Sequence, residues 1–561
     1  MSCSKDSLCQ SAYPKKKYTI VFVAVYSLIW LLSFFKCRYG YPIDESVHLL
    51  IPLRFVWGDI PIIHEKIGIQ FSSIWIYPFC YAYYHLVGST NGIFLANRIA
   101  FNILWGIFGL FLFYRLRRIS MIGAMISSFT IFLFVPFDLM SLYYNTIGQI
   151  TLISSCVIIL TAERFPKAQF IIAGFLFAIA VTTCPYTLSI YVWMLILAAI
   201  KRDFGLFKKW IFVSIGSLSA FIIFCLFYFK NCSLSTLIDM LQYISTDPTH
   251  TNSVTEKIVT YFTSSAQASF LTPLVFVFSP VIALWVKIKR SNTSRLIGTL
   301  AVVISVIILQ ISFFILGNNT NHYMVGLVAV GIYCYIVSDD PMIKKLFYAL
   351  VVPSILYSIS LHIASNTLFM AISSGGALGS VAGILMIFLL INESGGLNSA
   401  DQRLIRLLKA ASVSLFSIQI LLLLFLRFTA ISCDGSISKM TNKVDSGAMS
   451  GLYITDDRYD LFCRLSTDID YINHNYDYSN ILILSSELWP YLDVNGKPAT
   501  YISWIYLVSP ELLHQFYTDY PDKSADVIYI DDIYSDTRFF FETIGYEEDQ
   551  HVTNGVILKK K

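Results

Sequence analysis

Charge is scarce in this chain. Asp, Glu, Lys and Arg make up 14% of its 561 residues, against a hydrophobic share of 56%. A soluble domain carries roughly 25% charged residues and cannot hide so much apolar surface, which excludes an ordinary water-soluble protein. The net charge of +4 is too small to point to nucleic acid. The eleven cysteines show no C-x-x-C metal spacing. Most lie in apolar runs, where a thiol is a small buried hydrophobe. Internal repeats are also missing, although transporters built from two halves often show them. No small-residue cleavage site follows the first apolar run, so the run is expected to stay as a membrane span behind Lys15, Lys16 and Lys17 rather than to be removed as a signal.

Long apolar runs, by contrast, are abundant. A spanning helix needs about 20 mostly apolar residues. The sequence predicts about thirteen, at 18–37, 91–114, 121–140, 146–162, 168–183, 186–200, 210–229, 268–286, 296–316, 322–337, 346–366, 372–391 and 410–430. The stretch 168–200 is the weakest of these, because Pro185 divides it into two short halves. Residues 71–88 are also apolar, but their aromatics and Pro78 suit a helix at the interface. With thirteen spans, the basic clusters at 15–17, 115–118, 164–167, 201–209, 287–295, 344–345 and 403–409 fall on one side, the cytoplasmic side by the positive-inside rule. Counting 71–88 as a span would break this agreement. The expected fold is a polytopic α-helical membrane protein with a cytoplasmic N-terminus. Residues 1–430 form its membrane domain, with a first outer loop at 38–90. Residues 431–561 form a small extracytoplasmic α/β domain, with β-like runs at 480–485, 526–531 and 555–560.

The first outer loop contains YPIDESVHLLIPLRFVWGDIPIIHEK, residues 41–66. Val47, Leu50, Ile51 and Phe55 have helical spacing behind Asp44 and Glu45, acids that suit a helix N-terminus. An amphipathic helix resting on the outer leaflet is expected, interrupted near Pro52. Its charges read either as solvated interfacial groups or as a catalytic carboxylate at the membrane surface. An acid there can take a proton from an acceptor hydroxyl or amine, or hold a divalent cation. Lys66 and Arg98 can neutralise a phosphate leaving group.

In these residues the segment resembles the GT-C membrane glycosyltransferases, of the aminoarabinose transferase and protein O-mannosyltransferase (family 39) type. The matching elements are Asp44-Glu45, Gly58-Asp59 and Glu65-Lys66, then SSIWIYPF and LANRIAF with Arg98. The motif match is confined to about residues 40–118, and the order of the elements is more specific than any one of them. The resemblance implies an inverting transferase that moves a sugar from a polyprenyl-phosphate donor to a lipid, glycan or protein on the outer face of the cytoplasmic membrane. It implies catalytic Asp44 and Glu45, and donor-phosphate contacts at Lys66, Arg98, His322 and Tyr323. It further implies a divalent metal site at Glu65, with His250 as a second ligand, and pocket residues Asp138 and Asn145. The sequence departs from the family pattern in two places. Ile67-Gly68 replaces a usual Pro-Pro, and TTCPYT lacks a lysine common after the fifth span.

Each of these residues also has a plainer reading. Asp138 suits an ordinary interfacial acid as well as a cavity acid. His250 lies in the polar loop TDPTHTNS, and His322 can be a polar cap. His362 lies near the outer end of a span, where exposure would explain it. Cys433 and Cys463 are a candidate disulfide on the oxidising side. Two other functional classes stand beside the transferase. A transporter or flippase for lipid-linked sugars would place acids at mid-membrane depth. An O-antigen-type ligase or polymerase would carry its charged loop late in the chain. In any of these cases the partners are membrane lipid and a lipid-linked substrate, not nucleic acid.

Overall fold

The computed structural model describes residues 16–163, 165–201, 204–245, 253–365, 367–393, 399–431, 434–505 and 508–561. Among the described residues, twelve helices are long and apolar enough to cross a membrane, so the chain is an integral multi-pass membrane protein in contact with lipid. They coincide with twelve of the predicted runs. The exception is 186–200, where the apolar stretch Pro185–Leu197 is shorter. Pro185 opens a 3-10 turn, Pro185–Thr187, and the helix Leu188–Lys201 starts only after it.

Local chemistry sets several helix starts. Ser120 accepts from the Gly123 amide at 3.2 Å ahead of Met121–Leu133. Asp340 accepts from the Met342 amide at 2.6 Å, with Pro341 in the first turn. Ser253 and Glu256 form a reciprocal capping box. Small residues then allow close packing. A Cβ on Gly174 would lie 1.8 Å from the Val213 carbonyl oxygen, so the helices Pro166–Thr183 and Phe204–Tyr228 touch backbone to backbone.

The first outer segment differs from expectation. Helix α1 is Lys16–Ser33, α2 is Glu45–Val56 and α3 is Ser73–Val87. Helix α2 runs through Pro52 without interruption, and every residue from Glu45 to Phe55 is buried. It does not rest on lipid by one face. Its charged residues are paired internally, so all its sides pack against protein. Helix α3 keeps Tyr81, Leu86 and Val87 exposed, as an interfacial helix would.

The C-terminal region carries a five-stranded mixed sheet. Its strands are β1 (Asn480–Leu484), β2 (Lys497–Pro498), β3 (Val527–Asp531), β4 (Tyr546–Val552) and β5 (Gly555–Lys560), in the order β2-β1-β3-β5-β4. β1 pairs in parallel with β2 and β3, and β5 pairs antiparallel with β3 and β4. The three predicted runs are β1, β3 and β5. β4 was not expected from its sequence, YEEDQHV, because an edge strand needs no apolar alternation and charge protects its open side.

This region sits on the first outer segment. Arg54, fully buried, donates to Asp59 at 2.7 Å, Glu65 at 2.7 Å, Ser503 at 3.1 Å and the carbonyls of His64 (2.5 Å) and Thr500 (2.7 Å). Lys523 donates to Asp59 at 2.6 Å, and the Ser503 hydroxyl donates to Glu65. Two cations thus face two carboxylates, and all five Arg54 N–H donors are satisfied, the condition under which a buried ion is tolerated. Trp489 adds a 2.7 Å hydrogen bond to the Tyr41 hydroxyl.

Candidate functional site

A polar cavity of about 150 Å³ lies between the ends of the long helices and the C-terminal region. The first outer segment contributes Asp44, Glu45 and His48. Arg98 comes from the helix Ile93–Leu116, Asp138 and Tyr143 from the segment before the helix Tyr144–Thr161, and Tyr144 and Asn145 from that helix's first turn. Lys36, from the 3-10 turn Phe35–Arg38 after α1, also reaches it. Ile431 and Trp504 close it from the C-terminal side.

Asp44 stands immediately before α2 and is solvent-accessible. Among the described residues its carboxylate has no hydrogen-bond or ion-pair partner. The protein walls around it nevertheless desolvate it and raise its pKa above the usual carboxylate value. Glu45 and Arg98 are mutually engaged. Arg98 Nε contacts both Glu45 oxygens at 3.0 and 2.9 Å, and Nη2 adds a 2.9 Å ion pair. Nη1 donates to the carbonyls of Tyr39 and Gly40. Gly40 has φ +104°, and a Cβ there would stand 2.5 Å from Ile431 Cγ2. The pair therefore fixes the bend that delivers Asp44. His48 lies against the rings of Tyr143 (5.0 Å) and Tyr144 (5.4 Å), and burial pushes its pKa down to about 3, so the ring is neutral at pH 7.

Asp138 follows Phe137, and both adopt left-handed backbone with φ 54° and 52°. Such conformations in non-glycine residues need support from their surroundings. Thr320 supplies it by donating its hydroxyl to the Asp138 carboxylate, and Asn321 accepts from the Phe137 amide at 3.0 Å. Asn145 is buried, and its side-chain oxygen accepts from the Tyr186 hydroxyl at 3.2 Å.

The cavity thus brings together Asp44, Glu45, Arg98, Asp138 and Asn145. Four other predicted residues lie outside its lining. Lys66 is turned toward Asp239 and Asp519, with its pKa lowered by burial. Glu65 is fully buried, its oxygens occupied by Arg54, Ser503 and the Ile67 amide. His322 bonds Asn319 at 2.6 Å and lies against the Phe369 ring at 4.8 Å. Tyr323 is buried beside Phe313. His250 and Cys433 fall outside the described residues. Among the described residues no three His, Cys, Asp or Glu side chains are grouped to hold a metal. A cation at Glu65 would have to displace Arg54, so that carboxylate does not fit a metal ligand.

Lys36, His48, Tyr143 and Tyr144 were not anticipated. One signal was available for Lys36, a lysine at the very end of an apolar run. Arg427 was missed as well. It is fully buried in the last turn of the helix Ser399–Thr429 and donates to Asn102 at 3.3 Å, while its Nε and Nη1 have no partner among the described residues. The Phe101 and Phe132 rings lie 5.8 and 6.0 Å from the guanidinium.

Comparisons with protein-family models, curated proteins and solved structures found no match.

Proposed function

We propose that this protein is a membrane glycosyltransferase of the GT-C class, moving a sugar from a polyprenyl-phosphate donor to an acceptor on the extracytoplasmic side. The observation that carries the reading is the unpaired Asp44 carboxylate, facing a polar cavity at the lipid boundary with a lysine across from it. Asp44 takes a proton from the acceptor hydroxyl or amine. That oxygen or nitrogen attacks the anomeric carbon from the face opposite the phosphate. The carbon–oxygen bond to phosphate breaks, and the leaving phosphate keeps its electron pair. A raised carboxyl pKa suits such a base. Lys36 provides the positive charge for the leaving phosphate, with Arg427 behind it. Glu45 and Arg98, already joined, position Asp44 and do not act on substrate. No step is routed through a metal.

The distribution of charge favours this reading over transport. None of the twelve long helices carries Asp, Glu, Lys, Arg or His in its middle third. Ionisable groups on a transport path would be expected at that depth. We also propose thirteen crossings with the N-terminus in the cytoplasm. The first outer segment touches the C-terminal region, so an even number of crossings must separate them. Eleven long helices lie between, and the short helix Leu188–Lys201 makes the number even.

The test is transfer by purified protein in lipid nanodiscs, with a panel of polyprenyl-phosphate sugars. Asp44→Asn is expected to reduce transfer by roughly 10²–10⁴-fold with the melting temperature unchanged. Full activity in Asp44→Asn would overturn the assignment.

A further inference from the structure

A second cavity, of about 470 Å³, lies at the opposite end of the same helices. The helix Tyr144–Thr161 links the two sites: Tyr144 and Asn145 line the first, Ile159 and Leu160 the second. At 1.5 Å per residue they are about 24 Å apart, close to the thickness of the hydrocarbon layer. The floor of the second cavity is apolar, formed by Leu160, Phe170, Met194, Trp210 and Val213. Its rim is basic, with Lys209, Lys344 and Lys345 against a single carboxylate, Asp339.

The rim charges are not equally available. Lys344 is paired with Asp339 at 2.7 Å. Glu163, in the nearby loop, is paired with Arg118. Lys345 donates to the Leu160 carbonyl at 3.0 Å, and Lys209 lies 6.0 Å from the centre of the Phe170 ring. Neither contact neutralises a charge. Two ammonium groups therefore face one apolar cleft without a matching anion among the described residues. The wall includes a π-helical turn, Phe347–Val351, a distortion frequent at functional sites, and Tyr348 within it lines the cleft.

We infer that this cleft binds an anionic phospholipid, with the headgroup phosphate between Lys209 and Lys345 and an acyl chain along the apolar floor. Charge complementarity and the division of the cavity into basic rim and apolar floor both select this ligand. A hydrated inorganic anion would gain nothing from Leu160, Met194 or Trp210. A zwitterionic lipid would leave the excess positive charge unanswered. Basic pockets between helices are a known way of holding lipid headgroups. The site does not touch the Asp44 cavity, and the inference stands whether or not the proposed transfer reaction is correct.

The experiment compares unmodified protein in phosphatidylcholine nanodiscs with the same protein in nanodiscs containing phosphatidylglycerol, by thermal melting and by native mass spectrometry of retained lipid. Phosphatidylglycerol is expected to raise the melting temperature and to be retained selectively. In the double variant Lys209→Gln/Lys345→Gln, its retention should fall about thirtyfold, on the scale expected for two lysines. Equal retention of the two lipids by unmodified protein would overturn the inference, even if the variant failed to fold. So would full stabilisation by inorganic phosphate alone, or unchanged selectivity in the folded variant.

Discussion

At the scale of single residues, neighbouring acids of the cavity differ in how they are held. Asp44 lacks a partner among the described residues, whereas Glu45, its neighbour, is held by three nitrogen contacts from Arg98. Removing one member of such a buried pair leaves an uncompensated charge, which costs about 3–5 kcal/mol. Arg98→Met is therefore expected to lower stability by that amount. Glu45→Gln/Arg98→Met should recover much of it, as a double-mutant cycle in denaturant would measure. Lys36 makes a different prediction. It lines the cavity and is only 6% exposed. Lys36→Met should raise KM for the donor about tenfold while leaving the melting temperature equal or higher, because an apolar side chain is cheaper to bury there. Steady-state kinetics over a donor titration checks it.

At the scale of elements, α2 forms the connection between the membrane helices and the C-terminal sheet. Its first turn carries Glu45, joined to the helix Ile93–Leu116, and its last turn carries Arg54, joined to the loop around Ser503. The charges of the first outer segment therefore fall into two groups, one lining the cavity and one joined to the C-terminal region. Arg54→Met should strand Asp59 and Glu65 in the interior and destabilise the protein by about 3–5 kcal/mol. Glu65→Gln separates the two accounts of that residue. A structural role predicts a lower melting temperature with the donor KM unchanged, whereas a donor or metal role predicts the reverse. Only part of this was local: Arg54 is 11 positions from Glu65, but Ser503 is 438 positions away.

At the scale of the whole molecule, the C-terminal region is held to the membrane part partly through the segment around Gly447. Gly92 donates its amide to the Gly447 carbonyl at 2.9 Å, and the Ala448 amide donates to Asp493 at 2.7 Å. Burial raises the Asp493 pKa from 3.8 to about 7. The folded state therefore favours the protonated acid. The stabilisation is complete below about pH 4 and is lost as pH rises through about 7. Asp493→Asn should leave stability near the parent's at pH 4 and exceed it by a growing margin up to pH 7, levelling above. Melting temperatures measured across that range decide it.

The positions of the membrane helices were legible in the sequence because the requirement is local: about 20 apolar residues in a row, whatever lies elsewhere in the chain. The runs that became β1, β3 and β5 were legible for the same reason, as short apolar stretches between polar ones. The concentration of charge around α2 was legible too, whereas it is the structure that lines one cavity with Asp44, Glu45, Arg98, Asp138 and Asn145. What the sequence could not convey was which charges remain available. Arg54 finds Ser503 across 449 positions and Asp59 finds Lys523 across 464. Those distant partners take Glu65 out of contact with the cavity, while the fold of the outer segment turns Lys66 away. Conversely, Lys36 and Arg427 come from the ends of the first and last spans, and helix packing brings them close to each other and to Asp138. Composition and periodicity by themselves determined a multi-pass membrane protein with a charged segment after its first span and strand-forming runs near its C-terminus. Tertiary structure alone decided which of these carboxylates are held, because Glu45 meets Arg98 across 53 positions and Glu65 meets Ser503 across 438, contacts that no local pattern specifies.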